Sequence, residues 1–414
     1  MGIESKIKGG KQSFKRMDPP SLFSFSSLNE IETCPLSWIL KTAKYPEIWS
    51  KRGYPDNVNL SAFKGRVVHE ALEKINKNLA TLDGSGETTP SVVFALKKLG
   101  GISEILKKSI EASIKQLSEN PRVIDHIEYI RNCCYRDLPN LRVQTQSLLS
   151  RIGKIKQGKT KYRQHSSAID KSPSQLSDGT YSEFIISLAM LRMVGVIDLL
   201  TITQDEIEIR DFKTGAEKDS HRSQMMIYAL LWYNNYQNNP ESRIANRIVI
   251  SYNHGDLELP GPNVAELSQL EAELMDRIES ATEAVSSLNP TANPSSENCC
   301  YCSVRHLCDD YWLFDSKGET NQIHNHNFIA DLQIRLEGQY GHKTWAAEVV
   351  GSRGLPNGSK ILVKHNKWNF SIVPGQIIRI LNVSINSNEA YKHDSEKVEI
   401  YAMCTEISEV FYIG

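Results

Sequence analysis

Apolar and polar residues alternate along this chain with two different periods. In "FKGRVVHEALEKI", Val68, Leu72 and Ile75 recur at three- and four-residue spacing, which predicts an amphipathic helix. "ISEILKKSIEASIKQL" repeats that signature within residues 91–150, and "AELSQLEAELMDRIESATEAVSSL" reads as one more long helix. The period drops to two in "IEIRDFKTG", where Ile207 and Ile209 alternate with Glu208 and Arg210, the pattern of a β-strand with one apolar face. The β-branched stretch "LRMVGVIDLLTIT" precedes it across the turn signal "QDE", so the two read as a hairpin. "SRIANRIVISYN" supplies another strand. After about residue 320 come "KTWAAEVVGS", "KILVKHN", "GQIIRILNVSI" and "KVEIYAMCTEISEVFYI", short strands divided by Gly, Pro, Asn and Ser. The expectation is an α/β, mixed-sheet core over 21–315 with a helical insertion at about 81–175, then a small all-β barrel over 325–414, with residues 1–20 disordered.

Composition narrows the choice of function. A chain of 414 residues, 40% hydrophobic and 23% charged, is that of a globular protein of two or more domains. Its net charge of −1 offers no global field for a polyanion, so a nucleic-acid site has to be a local patch. No apolar run approaches the roughly 18–20 residues of a membrane helix, and "MGIESKIKGGKQSFKR" has no apolar core of a signal peptide behind its charges. A cytoplasmic protein without a membrane partner is expected, its eight cysteines being metal ligands or free thiols rather than disulfides.

The hairpin holds the chemistry. Continued alternation puts Asp211 and Lys213 on the apolar face of their strand, and charge buried alone is costly. A tight turn centred on Gln204-Asp205 sets Asp198 opposite Asp211. Directly paired side chains have Cβ atoms about 4.5–5.5 Å apart, where two carboxylates repel. A hard cation, Mg²⁺ or Mn²⁺, resolves that repulsion, and Lys213 points into the same space. The group suits phosphoryl transfer.

"GVIDLL…IRDFKTG" resembles the paired Asp…Asp-x-Lys signature of the PD-(D/E)XK nucleases, in their RecB-like branch. Gly65 and His69 match that branch's G-x-x-x-H motif, and Gln224 and Tyr228 in "SHRSQMMIYALLWY" match its Q-x-x-x-Y motif, in the same chain order. The resemblance covers about residues 21–315 and implies a restriction-endonuclease-like core. It implies that His69, Asp198, Asp211 and the backbone carbonyl of Phe212 hold the metal and that Lys213 is the catalytic lysine. Gln224 and Tyr228 would orient the site or touch substrate, and Glu183 would stand behind the ligands.

Cys299, Cys302 and Cys308 in "ENCCYCSVRHLCDDYW" cluster as C-x2-C-x5-C, with Cys34 far upstream in "LNEIETCPLSWIL". Four thiolates suit a tetrahedral zinc site or an iron–sulfur cluster, and spacing does not choose between them. The resemblance to AddB-like and CRISPR-associated nucleases implies a [4Fe–4S] cluster that clasps the two ends of the nuclease core. Cys300 is a neighbour of the triplet, while Cys133, Cys134 and Cys404 read as ordinary thiols.

"GKIKQGKT", Gly153 to Thr160, satisfies the spacing of a phosphate-binding loop but lacks the strand before it and the helix after it. It reads better as a basic loop, in which Lys154, Lys156, Lys159, Lys161 and Arg163 either face solvent or hold DNA phosphates. "VPGQIIRILNVSI" resembles an OB-fold strand entry, with Lys364, Lys367 and Trp368 as candidate nucleic-acid contacts and Phe370 as a contact or a filler of the barrel. The resulting expectation is a metal-dependent DNA nuclease, an exonuclease on single-stranded DNA or DNA ends, in repair, recombination or defence against foreign DNA. With no helicase motif in the chain, a helicase or other DNA-processing protein is the expected partner. The competing readings are a non-catalytic single-stranded nucleic-acid-binding subunit, a zinc-stapled scaffold and an ATPase built on Lys159.

Overall fold

The structure, a computed structural model, describes residues 15–83, 92–152, 175–313, 327–352, 354–365, 373–387 and 400–413. In chain order these form helices α1 (Phe25–Thr33), α2 (Pro35–Thr42), α3 (Leu60–Asp83), α4 (Val92–Lys98), α5 (Ile102–Leu117), α6 (Ile127–Arg136) and α7 (Leu138–Ile152). Strands β1 (Gly179–Leu188), β2 (Met193–Ile202) and β3 (Ile207–Lys213) follow, then α8 (Asp219–Tyr233), β4 (Arg247–Tyr252), β5 (Asp256–Pro260) and α9 (Val264–Ser286). Two short helices, α10 (Ser296–Cys300) and α11 (Asp309–Leu313), lead to β6 (Asn327–Gly341), β7 (Thr344–Ser352), β8 (Lys360–Lys364), β9 (Ile377–Ser387) and β10 (Ile400–Ile413). The chain divides into two compact units.

One unit comprises Pro19–Glu32 and Asn57–Ser287. Its sheet runs β1-β2-β3-β4-β5, antiparallel except where β3 and β4 run parallel. Parallel neighbours need a crossover, and α8 provides it. The expected hairpin closes through a Thr203 N–H to Glu206 carbonyl bond of 2.8 Å. Helices α4 to α7 fall within the stretch of about 81–175 that was expected to be helical, and α3 runs on to Asp83. Phe63, Val67 and Val68 of α3, Ile105 and Ile110 of α5 and Leu148 of α7 share one apolar core with Leu199 and Phe212 of the sheet. Strand β5 had not been foreseen.

The reading of β3 as a strand with one apolar face needs correction, because both faces are covered. Glu208 and Arg210 are only 5% and 4% exposed. Their charges are satisfied internally: Arg210 Nε meets Glu208 Oε1 at 2.8 Å and Arg210 Nη1 meets Asp256 Oδ2 at 2.8 Å. Arg151, at the end of α7, takes the other Asp256 oxygen at 3.0 Å. Paired charge of this kind replaces the solvent that the alternation pattern assumed.

The other unit comprises Met1–Asp18, Thr33–Asp56 and Leu288–Gly414. The cysteine-bearing segments therefore group with the C-terminal strands, where the sequence had grouped them with residues 21–315. Strands β6 to β10 close into a barrel of order β10-β8-β7-β6-β9, with β8 and β10 parallel and the other neighbours antiparallel. Leu332, Ile334, Val349, Val363, Ile380 and Val383 fill its interior. A buried ion pair, Arg305 Nε to Asp331 Oδ2 at 2.5 Å, links β6 to the segment between α10 and α11. Tyr311 Oη donates to the same carboxylate oxygen at 2.7 Å. Of the stretch 1–20, residues 15–20 are described, and Lys15 pairs with Lys44 through a β-bridge.

Candidate active site

The pairing of β2 with β3 sets Leu199 against Arg210 and Leu200 against Ile209, and the same register carries Asp198 to Asp211. At that point the side chain of Asp198 turns to the backbone, and Phe212 N–H donates to its Oδ2 at 2.7 Å. Because Leu199 and Phe212 join the helical core, alternation turns Asp198 and Asp211 to the opposite face. There α8 supplies Gln224 and Tyr228. Lys213 Nζ lies 2.8 Å from Asp211 Oδ2 and donates to Gln224 Oε1 at 3.0 Å. Gln224 Nε2 donates to Tyr228 Oη at 2.7 Å, as residues four apart on a helix can.

Two glycines make these approaches possible. A Cβ on Gly65 would lie 2.7 Å from Thr214 Oγ1, so α3 comes within reach of the end of β3 only because residue 65 has no side chain. One turn later His69 hydrogen-bonds the Phe212 carbonyl and feels the charge of Asp211. A Cβ on Gly195 would lie 2.6 Å from Cε1 of Tyr228, whose ring lies across β2. The sequence flagged Gly65 through its motif, while Gly195 opened the quoted "GVIDLL" with no reason given there for a bare backbone.

Glu183 sits in β1 between Ser182, paired with Leu199, and Phe184, paired with Ile197. It adopts φ = +48°, a left-handed conformation uncommon for a residue with a side chain. Burial, then Glu73, pushes its carboxyl up to about 7. Asp198 is raised by burial and next by Glu183, and Asp211 by burial and next by Asp198. The three carboxyl groups thus raise one another, against Lys213 beside Asp198 and Asp211 and Lys77 near Glu183. Burial lowers His69 despite the pull of Asp211, which keeps a ring nitrogen lone pair available for a ligand.

His69, Asp198, Asp211, Lys213, Gln224 and Tyr228 line one cavity of about 340 Å³, together with Lys218 and His221. The buried Oδ2 of Asp211 accepts no well-aligned hydrogen bond, although the Lys213 ammonium is near it. Carboxylate oxygens, a backbone carbonyl and an imidazole are the donors that Mg²⁺ or Mn²⁺ accepts, so the residues fit such an ion. Among the described residues, no three His, Cys, Asp or Glu side chains already form a metal-binding group.

Cys34, Cys299, Cys302 and Cys308 lie in the barrel's unit, and Cys133 and Cys134 in the other. Cys34 is the N-cap of α2, and Ser37 Oγ in that helix lies 3.3 Å from Cys302 Sγ. Burial pushes the Cys308 thiol up to about 12, and Cys34 and Cys302 are near enough to add to the shift. Cys299 joins them through the backbone, its carbonyl accepting from Cys302 N–H at 3.1 Å. Cys300 Sγ instead donates to Glu297 O within its own helix. Cys133 and Cys134 are buried, and Cys404 is half-buried. Lys364 is exposed at the end of β8. Lys154, Lys156, Lys159, Lys161, Arg163, Lys367, Trp368 and Phe370 lie outside the described residues, as does the whole of Gly153–Thr160.

Comparison with known proteins bears on this geometry. The family model of the PD-(D/E)XK nuclease superfamily matches residues 22–309. No curated protein matches the chain. A solved structure, the "Crystal structure of p204 HINb domain", shares 14% identity over 31% of this chain and 56% of its own, with a TM-score of 0.18. The chain thus spans little more than half of that structure, and a superposition at this score carries no argument.

Proposed function

The chain belongs to the PD-(D/E)XK nuclease superfamily, and from that premise we propose that it is a metal-dependent exonuclease acting on single-stranded DNA or on DNA ends. Membership implies a nuclease-type phosphodiesterase with a DNA substrate; the choice of end or strand belongs to the proposal. The observation that carries it is the convergence of Glu183, Asp198 and Asp211 beside Lys213, with a buried Asp211 oxygen lacking an aligned hydrogen bond.

His69, Asp198, Asp211 and the Phe212 carbonyl would hold Mg²⁺ or Mn²⁺, with Glu183 supporting Asp198 from β1. Such an ion, when bound, polarises a phosphate oxygen and lowers the pKa of water. Lys213 sets a positive charge against the reacting phosphate, where low exposure strengthens it. Gln224 Oε1 aims that ammonium by accepting a hydrogen bond from it, and Tyr228 in turn anchors Gln224. Burial pushes Tyr228 up to about 12, so it stays a neutral phenol through the working range.

The same reading assigns Cys34, Cys299, Cys302 and Cys308 to a [4Fe–4S] cluster. The grouping of Cys34, Cys302 and Cys308 supports the assignment. It also takes the barrel as OB-like and as a holder of single-stranded DNA, in support of which stand its five-strand closure and its parallel β8–β10 pair. A role in DNA repair, recombination or defence against foreign DNA, beside a helicase or other DNA-processing protein, follows from that combination.

The test is cleavage of end-labelled single- and double-stranded DNA by anaerobically purified protein with Mn²⁺, Mg²⁺ or chelator, beside Asp211→Ala. Metal-dependent cleavage that the variant loses, with a ladder shortening from one end, is the expected outcome. Cleavage that persists in chelator or in Asp211→Ala would overturn the assignment of the site.

A further inference from the structure

The cavity wall facing the carboxylates is basic, and its most constrained member is His221, which the motifs leave out. His221 lies in the first turn of α8, three residues before Gln224, and lines the same cavity. Its Nδ1 lies 2.9 Å from Tyr252 Oη. The backbone N–H of Lys218 faces that phenol oxygen closely enough to favour its ionised form. A Tyr252 oxygen that accepts from that N–H has its own proton to give to Nδ1 of His221. Neutral His221 then carries its remaining proton on Nε2, at the opposite edge of the ring.

Tyr252 is itself well fixed. It is 1% exposed, its carbonyl accepts from Arg151 Nη1, and its ring stacks with His254 at 5.4 Å. His254 in turn meets Glu217 at 3.1 Å. Burial, Lys213 and Lys218 all push His221 below its ordinary value, so the ring stays neutral at pH 7. Acidic Glu217 and Asp219 and basic Lys218 and Arg222 are exposed around it. An imidazole held at Nδ1 by a buried tyrosine, in a cavity it lines with two lysines, has its Nε2 edge left to meet an anion.

We propose that Nε2–H of His221 and the ammonium of Lys218 form a subsite for a phosphodiester of the DNA strand next to the one that is cut. Tyr252 is the positioning residue that fixes the donor edge of His221. The subsite rests on the nuclease reading of the cavity and adds to it a contact that registers the strand on the carboxylate centre.

The experiment separates this contact from the nuclease reading. Binding of a short single-stranded oligonucleotide is measured with the Asp211→Asn chain, which cannot confound affinity with cleavage, using phosphodiester oligonucleotides and a series carrying one neutral methylphosphonate at each position. Adding His221→Ala should weaken phosphodiester binding about tenfold, the worth of one charge-assisted hydrogen bond. The same substitution should have no effect on the oligonucleotide whose methylphosphonate occupies the subsite. His221→Gln, which keeps a donor at similar reach, should recover part of the loss, and Tyr252→Phe should weaken binding about threefold. If His221→Ala changes binding equally for every oligonucleotide, or not at all, while circular dichroism shows an intact fold, the subsite is wrong. Cleavage by the unsubstituted chain is scored separately. A phosphate-specific effect of His221 without metal-dependent cleavage would uphold the subsite and reject the nuclease reading.

Discussion

Asp211 shows how a site residue sets stability against activity. Its carboxyl is raised to about 7 by burial and by Asp198, against about 3.9 in an unfolded chain. A raised carboxyl favours the folded state most when protonated. That contribution is therefore complete below about pH 4 and is lost as pH rises through about 7. In chelator, Asp211→Asn should melt about 2–4 °C above the unsubstituted chain at pH 8, and the two should converge toward pH 5. Scanning calorimetry across that range checks the sign, and a variant that melts lower at pH 8 would contradict it. The same substitution should abolish cleavage. Added Mn²⁺ should raise the melting temperature of the unsubstituted chain more at pH 8 than at pH 5, because ligand protons compete with the metal.

At the scale of elements, the site depends on close approach of helix to strand. Gly65→Ala places a methyl 2.7 Å from Thr214 Oγ1 and should push α3, with His69, away from the end of β3. Overpacking of this kind costs about 1–3 kcal/mol. Thr214→Ala removes the obstructing oxygen, so the double variant should recover stability and metal affinity that Gly65→Ala alone loses. A thermodynamic cycle showing plain additivity would mean that the two elements do not meet there. Gly195→Ala should likewise displace the Tyr228 ring and lower the cleavage rate. Gly215→Ala is the contrasting case: its Cβ would meet nothing within 4 Å, and both stability and rate should be nearly unchanged.

At the scale of the whole molecule, the unit bearing the cysteines and the barrel hangs on buried polar links. Arg305, Asp331, Tyr311 and Asn382 form one network, Asn382 N–H donating to Asp331 Oδ1 at 2.9 Å. Asp331→Ala leaves the Arg305 guanidinium buried without its counter-charge and should cost about 3–5 kcal/mol by urea denaturation. Arg379, over the Trp312 ring at 5.1 Å, also holds the His306 carbonyl and Asp309, so this unit joins the triplet segment to the strands at several points. On the iron–sulfur reading, Cys308→Ser should abolish bound iron and the brown colour and lower the stability of this same unit. Stoichiometric zinc in a colourless protein would replace the cluster with the alternative metal.

Local rules in the sequence determined a good deal. The two-residue period of "IEIRDFKTG" and the turn at Gln204-Asp205 fixed the hairpin and brought Asp198 to Asp211, because strand register follows from pleat and turn length. The i,i+4 spacing put Gly65 with His69 and Gln224 with Tyr228 on single helix faces, and strand spacing announced an all-β C-terminal region. Other features had no local signature. Glu208 and Arg210 looked like a solvent face, and Arg151, Arg247, Ser251 and Asp256, all distant in sequence, make their burial tolerable. The left-handed backbone at Glu183, the need for a bare backbone at Gly195 and the pairing of His221 with Tyr252 were likewise settled in three dimensions. Each depends on what a neighbour far along the chain presents to it, and a period of two or of 3.6 residues contains no record of that neighbour.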